Sequence, residues 1–255
     1  MQIYSDKKAV LKRKRNFRIK IYFLIFLGII FLFGIYYLMV YSQVFVIKAV
    51  SVEGNKFLTQ DDVLRNIKQI SLSSFLGSQA GFNNIFSWPS GKINSENPAI
   101  SELIVKKNWF KRSITIEVHE RERFAIWCRG EGVNCYWMDK DGVVFGTAPL
   151  TEGSLVFTVF DSNNTDLLLG SRVEEDRFIG NLIAILENLN KTGFDVNKVF
   201  FDSSLKELKT TTTEGITLIF SIRFNPVKNM SLLKNIDFQK AKYIDLTVEN
   251  KIYYK

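Results

Sequence analysis

Histidine and cysteine are nearly absent from this sequence. Its 255 residues include one histidine, His119, and two cysteines, Cys128 and Cys135. A structural zinc takes four nitrogen or sulfur ligands, of which His119 could supply the only imidazole, so neither a metal site nor a bound cofactor is expected. There is no G-x-S-x-G and no H-E-x-x-H, and no serine or cysteine with nucleophile-elbow surroundings accompanies the histidine. The usual hydrolase and metallopeptidase machinery is therefore missing, and no catalytic residue is assigned. Paired carboxylates stay open as chemistry, because acids are abundant and a sequence does not give their separation. Charge is missing altogether from one stretch, the 27 residues from Ile21 to Ile47.

That stretch predicts a membrane helix. About 20 apolar residues cross a bilayer core ~30 Å thick. Tyr22 at one end and Tyr36, Tyr37 and Tyr41 at the other suit the two interfaces, where a ring with a polar tip is stable. A cleaved signal peptide would have a shorter apolar region and a small-residue cleavage site, and neither is present.

Net charge is +8, but its distribution matters more than its size. Residues 1–20 hold eight lysines and arginines against Asp6, a net of +7, which leaves +1 for the other 235 residues. A basic cluster beside an apolar span predicts a cytoplasmic N-terminus and an exported remainder. Anionic lipid headgroups account for the cluster, so the membrane is an expected partner and nucleic acid is not. The predicted division is a basic cytoplasmic tail (1–20), a transmembrane helix (21–43) and two exported domains (44–122 and 123–255). Cys128 and Cys135 fall on the exported side, where disulfides persist. They bracket the glycine-containing loop RGEGVN between two strand-like runs, which predicts a bridge across a hairpin mouth contributing about 2–3 kcal/mol.

In the first exported domain, Val44 to Val52 reads as a strand that ends at Glu53-Gly54-Asn55. Thr59 stands at an N-cap position with Asp62 three residues on, and Val63, Ile67 and Ile70 recur at helical spacing. Ser71 to Asn84 reads as a connector, and a short second helix is expected within Trp88 to Glu96. Strands follow over Ser101–Lys107 and Ser113–Glu120. In the second of these Ile114, Ile116 and Val118 alternate with Ser113, Thr115, Glu117 and His119, placing the histidine on a wet face.

The order strand, helix, helix, strand, strand after a membrane anchor resembles a POTRA domain, with Val50 to Asn55 as its start. Glu117-Val118-His119-Glu120-Arg121, Ala125-Ile126-Trp127, Tyr136-Trp137-Met138-Asp139, Gly142-Val143-Val144-Phe145 and the closing Tyr243-Ile244-Asp245-Leu246 resemble the FtsQ/DivIB family of bacterial cell-division proteins. Where that family often has proline, after its Trp and after its Glu-Arg-x, this chain has Phe110 and Arg123.

In the second exported domain Asp139-Lys140-Asp141-Gly142 is a hairpin signal, and Leu155 to Phe160 reads as a strand. Ser171 and Glu174 have capping-box spacing before a helix with Phe178, Leu182, Ile185 and Leu189 on one stripe and Ile179, Ile183 and Leu186 beside it, ended by Gly193. Such a stripe is expected to pack on the domain's own sheet. Strands are predicted over Val199–Phe201, Glu207–Thr212 and Ile216–Phe224, and a short helix within Pro226–Asn235. Tyr243–Val248 is a further strand, with Ile244, Leu246 and Val248 inward, and Lys251–Lys255 closes the chain as a last one. The predicted fold class is α+β: a single N-terminal transmembrane helix, a POTRA-like β-α-α-β-β domain, and a strand-rich β domain with one long helix.

A final strand leaves a row of main-chain groups to which a partner segment can add as a further strand. Tyr253 and Tyr254 are of the type enriched at interface hot spots, and Lys251 and Lys255 could pair with acids. From the residues alone these features fit equally well an edge guarded by lysine against aggregation. The family resemblance implies docking at the C-terminal strands, so Val248, Lys251, Ile252, Tyr253 and Tyr254 are the candidate partner-binding residues. It also implies a non-enzymatic scaffold in the cell membrane at the division septum. The implied partners are small single-pass coiled-coil division proteins, FtsB/DivIC-like and FtsL-like. A POTRA-containing protein of export or envelope assembly is the alternative, although no run of barrel-length alternating strands follows. A cell-wall-modifying enzyme is a further one.

Overall fold

The computed structural model describes residues 2–130, 134–150, 156–162, 167–191, 196, 198–233 and 241–255. The chain is mixed α and β, with one apolar N-terminal helix followed by strand-rich sheets, and it divides into two compact units. Met1–Asn94 with Glu102–Val118 make the first, and Ser95–Ser101 with His119–Lys255 the second.

Helix α1 (Gln2–Tyr41) runs unbroken from the basic segment through the apolar one. Its stretch Phe17–Tyr41 has mean hydropathy 2.6 and is long and apolar enough to cross a membrane. At 1.5 Å per residue those 25 residues span about 37 Å, and their large side chains from Tyr22 to Phe33 are exposed.

Strand formation begins later than Val44. Gln43–Phe45 form one 3₁₀ turn, capped by the Ser42 hydroxyl accepting from Val44 N, and β1 covers Ala49–Glu53. Helix α2 (Gln60–Ser73) starts at Thr59, whose hydroxyl accepts from Asp62 N at 3.2 Å and donates to Asp62 Oδ2 at 2.7 Å. Val63 and Ile67 are fully buried. The predicted connector holds the second helix instead, α3 (Phe75–Ala80), while the Trp88–Glu96 region expected to be helical contains strand β2 (Gly91–Ile93). The reason is local. Ser74 caps α3 by accepting from Gly77 N at 3.0 Å, and a Cβ on Gly77 would lie 1.8 Å from Ser71 O, so only glycine lets the two helices meet so closely. Strands β3 (Ile100–Asn108) and β4 (Ser113–Glu120) complete a sheet of order β1-β4-β3-β2. Ile114, Ile116 and Val118 face inward and His119 is exposed.

The second unit is built on one sheet. Its strands are β5 (Ala125–Arg129), β6 (Asn134–Met138), β7 (Val144–Thr147), β8 (Thr158–Asp161), β9 (Lys198–Asp202), β10 (Glu207–Thr211), β11 (Thr217–Ser221), β12 (Tyr243–Leu246) and β13 (Tyr253–Tyr254). Among the described residues they run in the order β13-β12-β11-β10-β9-β8-β5-β6-β7. The pairs β5–β8, β8–β9 and β11–β12 are parallel and the others antiparallel. Helix α4 (Asp176–Lys191) buries Ile179, Leu182, Ile183, Ile185, Leu186 and Leu189 in one cluster with Trp127, Val159, Phe201, Leu218, Phe220 and Ile244. That cluster is the core, and burying six such side chains on one helix is worth about 10 kcal/mol before entropy is charged against it.

The predicted capping box does not start α4. Ser171 donates its hydroxyl to Leu168 O and offers its carbonyl to Val144 N at 3.0 Å, so it lies against the sheet. Glu174 binds Lys206 Nζ through both oxygens at 2.8 Å. The Ser171 hydroxyl is taken by the turn before it and the Glu174 carboxylate by a distant lysine, and the helix begins at Asp176. Gly193, the expected stop, lies outside the described residues. The Asp139–Gly142 turn forms with Gly142 at φ 71°; Asp139 Oδ1 accepts from Asp141 N and Val143 N, and its Oδ2 meets Arg121 Nη1 at 2.5 Å. The predicted nine-residue strand ends at Ser221, although Ile222 beyond it is buried. Short helix α5 covers Val227–Leu232.

Candidate functional site

Strand β13 stands at one edge of the large sheet, paired antiparallel with β12. Tyr243 and Lys255 exchange main-chain hydrogen bonds at 3.2 and 3.1 Å. In an antiparallel ladder such pairs alternate with pairs that do not bond one another. Ile244 opposite Tyr254 is therefore a non-bonded pair, and the main-chain groups of Tyr254 and Ile252 point away from β12, toward the open edge. A strand added there finds alternating donors and acceptors.

What holds this edge in place is one buried side chain, Asn229 of α5. Its Nδ2 donates to Val248 O at 2.8 Å and lies 3.3 Å from Leu246 O and Lys251 O, while its Oδ1 accepts from Asn250 N at 2.8 Å. Asn250 takes φ 60°, a left-handed conformation that asparagine tolerates. Asp245 fixes the other end of the connection, its Oδ1 accepting from Thr247 N and the Thr247 hydroxyl.

These bonds place the five candidate residues. Tyr253 and Tyr254 lie on the edge and are exposed; Ile252 is half-buried against the core cluster. Val248 does not point inward as its alternation suggested. The carbonyls taken by Asn229 turn the chain after Leu246, so Val248 and Lys251 sit in the connection and are exposed. Cys128 and Cys135 face one another on β5 and β6 and are joined by a disulfide.

Side chains alternate along each strand, so the residues between the core positions form a second face turned away from α4. In register across β8 to β13 this face carries Phe160, Phe200, Lys209, Ile219, Asp245 and Tyr253. Phe160 and Phe200 stack at 5.5 Å, yet Phe200 stays half exposed. A shallow groove of about 260 Å³ lies beside it, lined by Phe200, Leu205, Glu207, Lys209 and Ile219 among others. Burial, and then the charge of Asp245, push the Glu207 carboxyl above the usual range. Burial and Asp245 likewise push the Tyr243 phenol up, whereas the Ser204 hydroxyl and the Leu205 amide hold Asp202 down. An aromatic, acid-bearing face thus adjoins an open edge. Sequence reading missed both Asn229 and the acids; the alternation of β10 and β11 could have placed Glu207 and Lys209 on one face, but nothing local marks Asn229. Comparison of the chain with models of known protein families and with curated proteins finds no match.

Proposed function

We propose that this chain is a membrane-anchored, non-enzymatic docking protein of the FtsQ/DivIB kind, a scaffold whose POTRA-like first unit and β-rich second unit work outside the cell membrane at the division septum. Its partners are small single-pass coiled-coil proteins of the FtsB/DivIC and FtsL kinds. The observation that carries this reading is the β13 edge: outward main-chain groups at Ile252 and Tyr254, two exposed tyrosines, and a connection clamped in advance by Asn229. An edge fixed before binding loses little further entropy when a partner strand adds to it. The family resemblance of the sequence motifs supplies the partner class. The test is recovery of such partners from dividing cells with the full-length chain, against the Ile252→Pro variant, which removes an outward-facing N–H. The expected result is loss of the partners with unchanged circular dichroism. Retention by the folded variant refutes docking at this edge.

A further inference from the structure

The first unit carries a surface of another kind, where the chain leaves the apolar helix. The last carbonyls of a helix lack intrahelical donors, and here Asn84 supplies one. Its Nδ2 donates to Met39 O at 2.8 Å and lies 3.4 Å from Val40 O, and its Oδ1 accepts from Phe86 N at 2.9 Å. The chain beyond Tyr41 is then bonded to the same loop, Ile47 N to Asn83 O at 2.8 Å and Ile85 N to Phe45 O at 2.9 Å. The β3–β4 turn closes on this junction. Arg112 Nη1 donates to Gln43 O at 3.2 Å, Lys48 N donates to Arg112 O at 2.8 Å, and the rings of Phe45, Phe86 and Trp109 follow one another at 4.8 and 5.0 Å.

The turn is therefore fixed beside residues two to seven positions past the end of the apolar helix. That helix, at about 37 Å, exceeds the ~30 Å hydrocarbon core, so its end lies within a headgroup layer roughly 5–7 Å deep. At the tip of the turn Trp109 is half exposed and Phe110 is 102% exposed. A phenylalanine ring in open water beside a half-exposed tryptophan is costly, and a membrane interface is where tryptophan in particular is enriched. Charge points the same way. The three segments that meet here, 40–52, 82–92 and 106–113, contain six lysines and arginines and no aspartate or glutamate. Lys92 and Lys106 pair with Glu102 and Glu117; among the described residues Lys48, Lys107, Lys111 and Arg112 form no ion pair.

We infer that the β3–β4 turn rests in the headgroup layer of the bilayer that α1 crosses, with Trp109 and Phe110 entering the interface and Lys48, Lys107, Lys111 and Arg112 facing anionic lipid. The inference rests on α1 spanning the membrane, and the experiment separates the two. A nitroxide is attached to Phe110→Cys, and in a second sample to Gly28→Cys near mid-span, where nothing lies within 4 Å of a new Cβ. The full-length chain is reconstituted in vesicles of phosphatidylcholine with or without phosphatidylglycerol. Collision with oxygen, which concentrates in lipid, is compared with collision with a water-soluble nickel chelate. The expected result is a deep label at 28 and, at 110, severalfold shielding from the chelate with oxygen access retained. In the phosphatidylglycerol vesicles, each of Lys107→Gln and Lys111→Gln should lower the ratio of docked to undocked turn about fivefold. A deep label at 28 with a label at 110 as open to the chelate as free nitroxide overturns the inference and leaves the anchor standing. A shallow label at 28 overturns both. Shielding of 110 from oxygen and chelate alike, with dipolar broadening between labels, overturns it in favour of a second copy covering the turn.

Discussion

Asn229→Ala is the sharpest test of how the β13 edge is built. The wild-type side chain supplies the Val248 carbonyl with a donor and the Asn250 amide with its acceptor, each at 2.8 Å, and lies within reach of two further carbonyls. Removing it leaves the Asn250 amide without its acceptor and the Val248 carbonyl with only the Lys251 amide at 3.2 Å, and opens a small cavity under the connection. An unsatisfied group costs about 1–3 kcal/mol, less where water can reach it, so a local loss of roughly 1–3 kcal/mol is expected. That loss raises the equilibrium for opening the β12–β13 hairpin about 5- to 150-fold. Native-state hydrogen exchange reads it directly. The amides of Lys242 and Tyr243 donate to Lys255 O and that of Lys255 donates to Tyr243 O, so these three should exchange faster by that factor. The Leu208 amide in β10, well inside the sheet, should keep its rate. Unchanged exchange at Tyr243 and Lys255, or equal acceleration at Leu208, would show that Asn229 is not a local clamp.

Glu207→Gln is expected to stabilise the second unit at neutral pH and to lose that advantage in acid. A carboxyl whose folded pKa is raised costs stability when the pH lies above that value, and the cost disappears below the unfolded pKa, so stability falls as pH rises through the window above the ordinary carboxylate range. Urea midpoints of the detergent-solubilised chain at neutral and at acid pH check the sign, and an equal shift at both would refute it. Arg121→Met should lower stability by about 3–5 kcal/mol, because it strands the Asp139 carboxylate, whose side chain is 7% exposed. Adding Asp139→Asn, which removes the stranded charge and keeps the Oδ1 that accepts from Asp141 N and Val143 N, should recover part of the loss, and an Arg121→Met variant that melts like the parent would refute the assignment.

The elements legible in the sequence were those whose signal is local and repeated. The apolar helix needs only a run of residues; α2 needs a threonine before a three-and-four spacing; α4 needs a stripe, and six of the seven side chains the spacing named are buried, Phe178 being partly so. What was not legible depends on distant partners. Ser171 and Glu174 have the spacing of a cap, but Val144 and Lys206 claim them. Helix α3 is six residues long, too short for a period, and exists through a serine cap and a glycine contact. The parallel pairs join strands far apart in the chain, so no turn residue announces them. At the candidate edge the tyrosines could be chosen from the sequence, whereas the inward placing of Val248 failed because one asparagine in α5 bends the chain after Leu246.

The way Asn84 grips the end of α1 has a torsional consequence. With the Met39 and Val40 carbonyls held by that side chain, and Ile47 and Ile85 closed on the same junction, there is no swivel between α1 and the rest of the first unit. Rotating α1 about its own axis must carry the first unit around with it. Tyr36, Met39 and Val40 already turn one strip of the helix toward their own chain, so a foreign helix packing on α1 within the bilayer approaches from the remaining azimuths. If α1 crosses a bilayer, the foreign helix's choice of flank within it sets which side of the first unit's sheet that helix meets beyond the bilayer. Inserting a single residue in mid-span would turn that pairing by about 100° without altering either surface.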